Sequence, residues 1–319
     1  MKKVFITGIT GFAGSFLAEY LLSLGKFAIK GTYLTDESLK LIAGIKDRIE
    51  PVKLNLLDDK KVNLLINEYE PDMVFHLAAL TSPADSFQNP AATITNNVTA
   101  QINLLEAIRK NKLLDTKILV VSSADVYGIV DKKDLPIDEE TSFRPTNTYS
   151  VSKIAQDFLG FQYFLSYGLK IVRVRPFNHI GPRQSPKFVV ASFAKQIAET
   201  EAGKIEPTIF VGNLSAKRDF TDVRDMVKAY LLAVEKGEIG DVYNIGSGSS
   251  YRISEILDKL LSLSKKQIRI QIDKSRFRPS DEQELICNRK KFTDKTGWEP
   301  EIPLETTLKD TLDYWRKII

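Results

Sequence analysis

The stretch that decides the fold reads Val4-Phe5-Ile6-Thr7-Gly8-Ile9-Thr10-Gly11-Phe12-Ala13-Gly14. It opens with a short apolar run typical of a buried strand, and three glycines follow at intervals of three. From residue 12 to Gly25 the apolar residues recur at helical spacing, and glycine commonly ends a helix. Glycines in such a turn let the backbone turn tightly and approach a pyrophosphate, which the N–H groups at the helix start can bind. The segment therefore predicts a strand, an anion-binding turn and a helix.

Apolar strand patterns alternate with helical patterns through the first half of the chain. We predict strands at 28–33, 52–56, 73–77, 117–121 and 171–175, and helices at 58–69, 98–110 and 149–167. The run at 117–121 is almost wholly apolar, as in a strand that is buried on both faces. Strands separated by helices indicate a parallel sheet with right-handed crossovers. We therefore expect an α/β protein with a doubly wound parallel sheet of the Rossmann type and a smaller C-terminal α/β domain.

The pattern changes beyond Pro176. Helical segments at 188–203, 221–237, 253–263 and 304–317 are separated by polar loops. Residues 241–245 repeat the buried-strand pattern, which predicts that the chain returns to the first sheet. We therefore expect one domain from residues 1–177 and 219–248, and a second from residues 178–218 and 249–319.

Composition limits the class of protein. The chain has 319 residues, of which 43% are hydrophobic and 27% charged, so a globular protein is expected rather than a disordered one. A single cysteine, Cys287, excludes an internal disulfide and favours the cytoplasm, and with only two histidines we expect no metal site. The net charge of +4 is dispersed and no segment has the roughly 20 apolar residues of a membrane span, so neither nucleic acid nor a membrane is expected as a partner.

A second chemical pattern is Tyr149-Ser150-Val151-Ser152-Lys153. Residues four apart share a helix face, so a lysine there can lower the pKa of the tyrosine and suit it to proton transfer. About one such pair is expected by chance in this composition, so its weight rests on position. It follows the strand at 117–121, whose end carries Ser123 and Asp125, and parallel strands bind ligands at their carboxyl ends. Tyr149 and Lys153 are therefore candidates for proton transfer, while Ser123 is either their partner or a turn residue.

Together these motifs resemble the extended short-chain dehydrogenase/reductase family, whose members modify nucleotide sugars. Further matches cover nearly the whole chain, at 76–79, 97–107, 175–183, 218–223, 243–248 and 297–300. Within the family, residues 178–185 with 218–220 and 278–281 are most similar to the GDP-6-deoxy-D-mannose reductases. The glycine spacing differs from the Gly-x-Gly-x-x-Gly of the ordinary dinucleotide fingerprint, because it reads Gly-x-x-Gly-x-x-Gly.

The resemblance implies an NADPH-dependent reduction of the C4 ketone of a 4-keto-6-deoxy nucleotide sugar, converting GDP-4-keto-6-deoxy-D-mannose to GDP-D-rhamnose. It also implies roles: Ser123 binds the sugar C4 oxygen, Tyr149 protonates that oxygen, and Lys153 holds the nicotinamide ribose. The implied substrate contacts are Thr81, Ser123, Asn178, Arg183, Arg218 and Arg278. The first domain is expected to bind the dinucleotide and the second the nucleotide sugar. Helices 97–110 and 149–167 are expected to form a homodimer interface.

The implied cofactor site surrounds the glycine turn and the ends of the next strands. Its residues are Gly8, Thr10, Gly11, Phe12, Ala13, Gly14, Thr32, Asn55, Leu56, Ala78, Ala79, Asn97, Tyr149 and Lys153. Sites for NAD usually end the second strand with an acid that binds the ribose, whereas this chain has Thr32 at that place. We therefore expect NADPH, with NADH possible.

Two alternative enzymes share this fold and the Tyr149/Lys153 pair: a GDP-mannose 4,6-dehydratase and a nucleotide-sugar 4-epimerase. Related dehydratases carry an acid pair or a glutamate directly after the residue matching Ser123, but this chain has Ala124 and the shorter Asp125. An epimerase must retain its NAD, whereas a site without the NAD-type acid suits a cofactor that exchanges. A regulator that only binds the cofactor would be expected to lose the intact Ser/Tyr/Lys set. These features favour the reductase.

Overall fold

The computed structural model describes residues 1–277 and 284–319. Its strands are β1 (Lys2–Thr7), β2 (Phe27–Tyr33), β3 (Glu50–Lys53), β4 (Met73–His76), β5 (Lys117–Val121), β6 (Lys170–Pro176), β7 (Asn178–Ile180), β8 (Thr208–Val211), β9 (Lys217–Asp222), β10 (Val242–Ile245), β11 (Ser250–Arg252), β12 (Arg269–Ile272) and β13 (Glu284–Leu285). Its helices are α1 (Phe12–Ser23), α2 (Asp59–Tyr69), α3 (Pro83–Gln88), α4 (Pro90–Lys110), α5 (Thr148–Tyr167), α6 (Val189–Glu201), α7 (Val223–Lys236), α8 (Ile253–Ser262), α9 (Lys290–Thr296) and α10 (Leu304–Ile318).

A seven-stranded parallel sheet forms the centre, in the order β10-β6-β5-β4-β1-β2-β3. The chain moves outward from β1 to β3 and then continues on the other side of β1 with β4. This reversal leaves a crevice at the carboxyl ends of β1 and β4, where open α/β sheets bind ligands. The sequence prediction of a doubly wound Rossmann-type sheet is confirmed.

Helices cover both faces of the sheet, because alternate side chains of each strand point to opposite sides. Val4 and Ile6 of β1 are fully buried in the core formed with α1 and α7. Phe5, between them, packs instead into the core formed with α2, α4 and α5. This two-sided burial explains why the central strands have nearly continuous apolar sequences.

The remaining strands form a smaller lobe. β9 pairs with β7, β11 and β13, and β8 pairs with β12. Helices α6, α8 and α10 share an apolar core that includes Phe193, Leu257 and Leu312. Strand β10 leaves this lobe and pairs with β6 at the edge of the central sheet. The expected domain boundary at 218/219 falls inside β9.

Some element bounds differ from the sequence prediction. Strand β3 ends at Lys53, because the Asn55 side chain accepts a hydrogen bond from Leu57 N–H at 3.0 Å and turns the chain toward α2. Helix α4 begins at Pro90, eight residues before the predicted start, with proline in its first turn. Residues 90–97 contain one large apolar side chain, Ile94, and therefore carry little apolar periodicity, so the sequence pattern missed this first part of α4.

Candidate active site

A cleft of about 1040 Å³ lies along the carboxyl ends of the central strands and extends to the smaller lobe. It brings together most of the residues that the sequence proposes. Those lining it are Gly8, Thr10, Gly11, Phe12, Ala13, Gly14, Thr32, Asn55, Leu56, Ala78, Ala79, Thr81, Ser123, Tyr149, Lys153, Asn178 and Arg218. Residues that are far apart in the chain therefore meet in one site.

The glycine turn at the start of α1 is shaped by close backbone contacts. A Cβ on Gly14 would lie 2.2 Å from the carbonyl oxygen of Gly8, so a larger residue would separate the helix from the turn. Gly8 has a φ of +71°, and a Cβ there would lie 3.1 Å from Ala78 Cα. No side chain caps the N-terminus of α1, whose N-cap is Gly11. The turn thus fits a pyrophosphate, since it leaves N–H donors without a protein cap.

A buried hydrogen-bond network holds the segment after β4 beside this turn. Thr7 Oγ1 accepts from Leu77 N–H at 3.0 Å and from Ala78 N–H at 3.1 Å. Its own proton is therefore available to donate to His76 Nδ1, 2.9 Å away. Burial lowers the pKa of His76 to about 3, so the ring is neutral. His76 therefore supports the segment after β4 and does not line the cleft.

Small hydroxyl groups surround the cleft where β2 ends. Thr32 Oγ1 accepts from Gly8 N–H at 3.3 Å, and Thr10 Oγ1 lies 2.8 Å from Ser38 Oγ. The first acid after β2, Asp36, lies outside the cleft lining, and its carboxylate is 2.6 Å from Lys53 Nζ. This end therefore offers hydroxyls rather than the carboxylate typical of NAD sites. Ser38 carried no sequence signal because it lies in a short 3₁₀ helix, which shows neither an α-helical nor a strand period.

Tyr149 lies in the first turn of α5, at the bottom of the cleft. Helix α5 begins there because Asn147 Oδ1 accepts from Ser150 N–H at 2.8 Å, which is an N-cap. The Tyr149 side chain is buried, and its hydroxyl interacts with the Ser123 side chain. Burial raises the pKa of Tyr149, and the nearby Asp125 carboxylate raises it further. Tyr149 is therefore held as a neutral phenol that can donate a proton.

Lys153 lies one helical turn after Tyr149 and is also buried. Its Nζ donates to the carbonyl oxygen of Val121 at 2.8 Å and lies 5.9 Å from the centre of the Tyr149 ring. Burial lowers the pKa of Lys153 to about 7. The sequence predicts that Lys153 lowers the pKa of Tyr149, whereas in this structure burial raises the pKa of Tyr149.

Two residues assigned to ligands from the sequence lie outside the cleft lining. Arg183, which the sequence predicts to bind the substrate, does not line the cleft, because its guanidinium lies on α1, 2.8 Å from Glu19 Oε2. Asn97 does not line the cleft, since its side chain is fully buried and bonds to both the N–H and the carbonyl of Leu80. Asn97 therefore supports the loop beside the cleft. Arg278 lies outside the described residues.

The structure adds cleft residues to which the sequence assigned no role. Gln184 is 6% exposed, and its Nε2 donates to the carbonyl oxygen of His179 at 2.9 Å. It lies within the quoted motif at 178–185, but no spacing rule distinguished it. Behind the cleft lining, Asp219, next to Arg218, is fully buried and accepts hydrogen bonds from Ser247 and Gly248 N–H at 2.8 Å. Asp219 thereby holds β9 to the loop after β10.

Two further features concern the described residues as a group. Within 1–277 and 284–319 no three His, Cys, Asp or Glu side chains are grouped so that they could hold a metal ion. No helix of these ranges combines the length and the apolar character that crossing a membrane requires.

Comparisons with known proteins agree with this geometry. The GDP-mannose 4,6 dehydratase family matches residues 5–311. The chain is 35% identical over 314 residues to a GDP-6-deoxy-D-mannose reductase of Pseudomonas aeruginosa, covering 98% of this chain and 97% of that protein. It is 28% identical to a GDP-mannose 4,6-dehydratase of Yersinia enterocolitica, covering 96% of this chain and 91% of that protein.

Among solved structures, RMD from Pseudomonas aeruginosa complexed with NADPH is 34% identical to this chain, with a TM-score of 0.88 and full coverage of both chains. The family match spans almost the whole sequence and includes the glycine turn, the Tyr149 helix and the smaller lobe. The chain therefore belongs to the GDP-mannose 4,6-dehydratase family of extended short-chain dehydrogenases/reductases.

Proposed function

We propose that this protein reduces the C4 ketone of GDP-4-keto-6-deoxy-D-mannose with NADPH and forms GDP-D-rhamnose. The observation that carries the proposal is the buried Tyr149 phenol, which interacts with Ser123 and lines the same cleft as the glycine turn. The similarity to a GDP-6-deoxy-D-mannose reductase and to a structure containing NADPH supports the choice of substrate and cofactor.

Each side chain has a defined part in this reaction. When bound, NADPH supplies the hydride that is added to the sugar C4. Tyr149 donates its phenolic proton to the C4 oxygen, so the ketone gains one hydride and one proton and becomes an alcohol. Ser123 donates a hydrogen bond that polarises the same oxygen and keeps it near the Tyr149 hydroxyl. A proton from solvent restores the phenol, which is the favoured form because burial raises the pKa of Tyr149.

Lys153 and the glycine turn are proposed to position the cofactor. The turn binds the pyrophosphate through backbone N–H groups, and Lys153 holds the nicotinamide ribose. Thr10, Thr32 and Ser38 place hydroxyls near the end of β2, where an acid would repel the 2′-phosphate of NADPH. These hydroxyls therefore favour NADPH over NADH.

The smaller lobe is proposed to bind the GDP part of the substrate. Arg218 and Asn178 line the cleft from that side, with Arg276 beside them. Guanidinium groups suit a diphosphate because their planar donors form paired hydrogen bonds. We retain the division into a dinucleotide-binding domain (1–177 and 219–248) and a nucleotide-sugar-binding domain (178–218 and 249–319) as part of the proposal.

The test is an incubation of the purified protein with NADPH and candidate 4-keto-6-deoxy nucleotide sugars. We expect one equivalent of NADPH to be consumed per GDP-D-rhamnose formed, with NMR identification of the product. GDP should inhibit competitively, and UDP or dTDP should inhibit less. Formation of the C4 epimer alone, or activity only with a UDP sugar, would contradict the proposed product or base.

A GDP-mannose 4,6-dehydratase is the second candidate, because Asp125 lines the cleft near Tyr149 and the family to which the chain belongs is named for that activity. Asp125 would have to abstract the C5 proton, although its side chain is one methylene shorter than glutamate. Ala124 is buried and has no proton to donate. Conversion of GDP-mannose to a 4-keto-6-deoxy product without added NADPH would establish this function in place of the reductase.

We also propose that the protein forms a homodimer through α4 and α5 and works in the cytosol. Val151, Phe158 and Leu165 of α5 are 45%, 53% and 65% exposed and recur every seven residues. Such a stripe marks one face of the helix, and exposed apolar patches are typical of interfaces. The buried free thiol of Cys287 is compatible with a reducing compartment.

A further inference from the structure

The loop between β7 and α6 rests on one face of α1. The Arg183 guanidinium lies 4.3 Å from the Phe16 ring centre, and its Nη2 donates to Glu19 Oε2 at 2.8 Å. Its Nη1 lies 3.4 Å from Ser15 Oγ, and the His179 ring stacks on Phe12 at 5.7 Å. These α1 residues are 12, 15, 16 and 19, which share one helix face. The loop is therefore seated on the same helix whose first turn borders the cofactor site.

Arg183 also touches the segment that follows β2. Its Nη1 donates to the carbonyl oxygen of Leu41 at 3.3 Å. That segment carries Ser38, whose hydroxyl lies 2.8 Å from Thr10 Oγ1 in the cleft. One side chain thus joins the loop of the smaller lobe to two elements that surround the cofactor end of the cleft.

The backbone of Arg183 is in an unfavourable conformation. Its φ is +72°, a region that side chains other than glycine rarely adopt. Such a conformation persists only where surrounding contacts compensate for it. Here the Glu19 ion pair and the stacking on Phe16 provide those contacts. The next residue, Gln184, lines the cleft.

We propose that Arg183 is a positioning residue that couples cofactor binding to nucleotide-sugar binding. It holds β7, which carries Asn178, and the following loop, which carries Gln184, against α1. A ligand that orders either side therefore reduces the cost of ordering the other. Coupling of this kind is reciprocal, and NADPH and the nucleotide sugar strengthen each other's binding by the same factor. This role differs from a direct grip on the diphosphate.

The experiment measures the NADPH dissociation constant by fluorescence, with and without saturating GDP. In the unaltered protein we expect GDP to tighten NADPH binding by about fivefold or more. Arg183→Gly suits the positive φ but removes the side chain, and it should raise the NADPH dissociation constant by a similar factor. It should also bring the ratio of the dissociation constants without and with GDP, the GDP ratio, close to one. Glu19→Gln should act in the same direction, and the double variant should add little further.

A matched control is Arg316→Ala. The Arg316 side chain is 22% exposed like that of Arg183, and it forms an ion pair with Glu201 away from the cleft. It should lower the melting temperature without changing NADPH affinity or the GDP ratio. A melting curve for each variant separates lost coupling from unfolding, and Glu19→Gln provides a second, milder variant.

Two results would overturn the proposal. One is an Arg183→Gly protein with unchanged NADPH affinity and an unchanged GDP ratio. The other is a raised KM for the nucleotide sugar while both of those quantities stay unchanged, since that indicates direct contact with the substrate. The GDP arm rests on the proposed function. If GDP does not bind the unaltered protein, guanine is the wrong nucleobase for the substrate. The NADPH affinities of Arg183→Gly and Glu19→Gln still decide the role of Arg183.

Discussion

At the scale of single residues, the protonation state of Tyr149 determines the chemistry. Tyr149→Phe removes the proton donor and leaves the ring that fills the buried site, so kcat should fall by roughly 10²–10⁴-fold. The NADPH dissociation constant should stay within about twofold, because the missing hydroxyl acts on the sugar oxygen. Single-turnover NADPH oxidation measures both the rate and the bound fraction. Retention of most of the rate would remove Tyr149 from the mechanism.

Lys153 predicts a pH dependence of cofactor affinity. Its folded-state pKa is lowered from 10.5 to about 7, so the side chain loses its proton as the pH rises through 7. Anionic NADPH binds the charged form better, and its dissociation constant should therefore rise between pH 6 and 8. Burial lowers the pKa of His76 to about 3 and that of His179 to about 4, so neither titrates in this range. The 2′-phosphate of NADPH, a phosphate monoester, itself titrates with a pKa of about 6.

Lys153→Met isolates the lysine contribution, because the phosphate titration is common to both proteins. The variant should bind NADPH more weakly at pH 6 and lose the rise toward pH 8. The same depressed pKa makes the folded state more stable as the pH rises from 7 toward 10.5, since there the unfolded chain holds a proton that the folded chain has released. A titration curve unchanged by Lys153→Met would contradict the assignment.

At the scale of elements, the glycine turn predicts a steric effect. Gly14→Ala should destabilise the protein by about 1–3 kcal/mol and abolish NADPH binding, although alanine favours a helix more than glycine. The cause is the 2.2 Å approach of the new Cβ to the Gly8 carbonyl oxygen. Gly44→Ala is the control, because a Cβ there meets nothing within 4 Å. Chemical denaturation and NADPH titration compare the two variants, and equal stability would refute the close-packing account.

Elements with a strong period were predictable from the sequence, and those set by long-range contacts were not. The strand Lys117–Val121 matches its predicted bounds, since an apolar run buried on both faces has few other structures available. The glycine turn was predictable from its glycine spacing. The position of Tyr149 after the strand 117–121 left Ser123 either as its partner or as a turn residue, and the family resemblance favoured the partner. Helix α3 was missed because six residues cannot display a helical period. The seating of Arg183 on α1 was not predictable, because sequence spacing does not reveal which way a loop side chain turns.

At the scale of the whole molecule, the exposed stripe on α5 predicts an oligomer. Phe158→Glu or Leu165→Glu should convert the proposed dimer to a monomer, because a charge would be buried without a partner at the interface. Leu64→Glu is the matched control, since Leu64 is 59% exposed on α2. Sedimentation velocity at micromolar concentration distinguishes the two states. A monomeric unaltered protein, or a dimer that persists in both α5 variants, would exclude this interface.

The late arrival of β10 at the central sheet has a consequence for biosynthesis. Strand β6 ends at Pro176, but its neighbour β10 comes only with residues 242–245. On a ribosome adding roughly 5–20 residues per second, β6 waits several seconds as an open, apolar edge. Such an edge is a template for pairing with another nascent chain. The first 177 residues contain the glycine turn and the Ser123, Tyr149 and Lys153 side chains, yet expressed alone they should aggregate instead of folding.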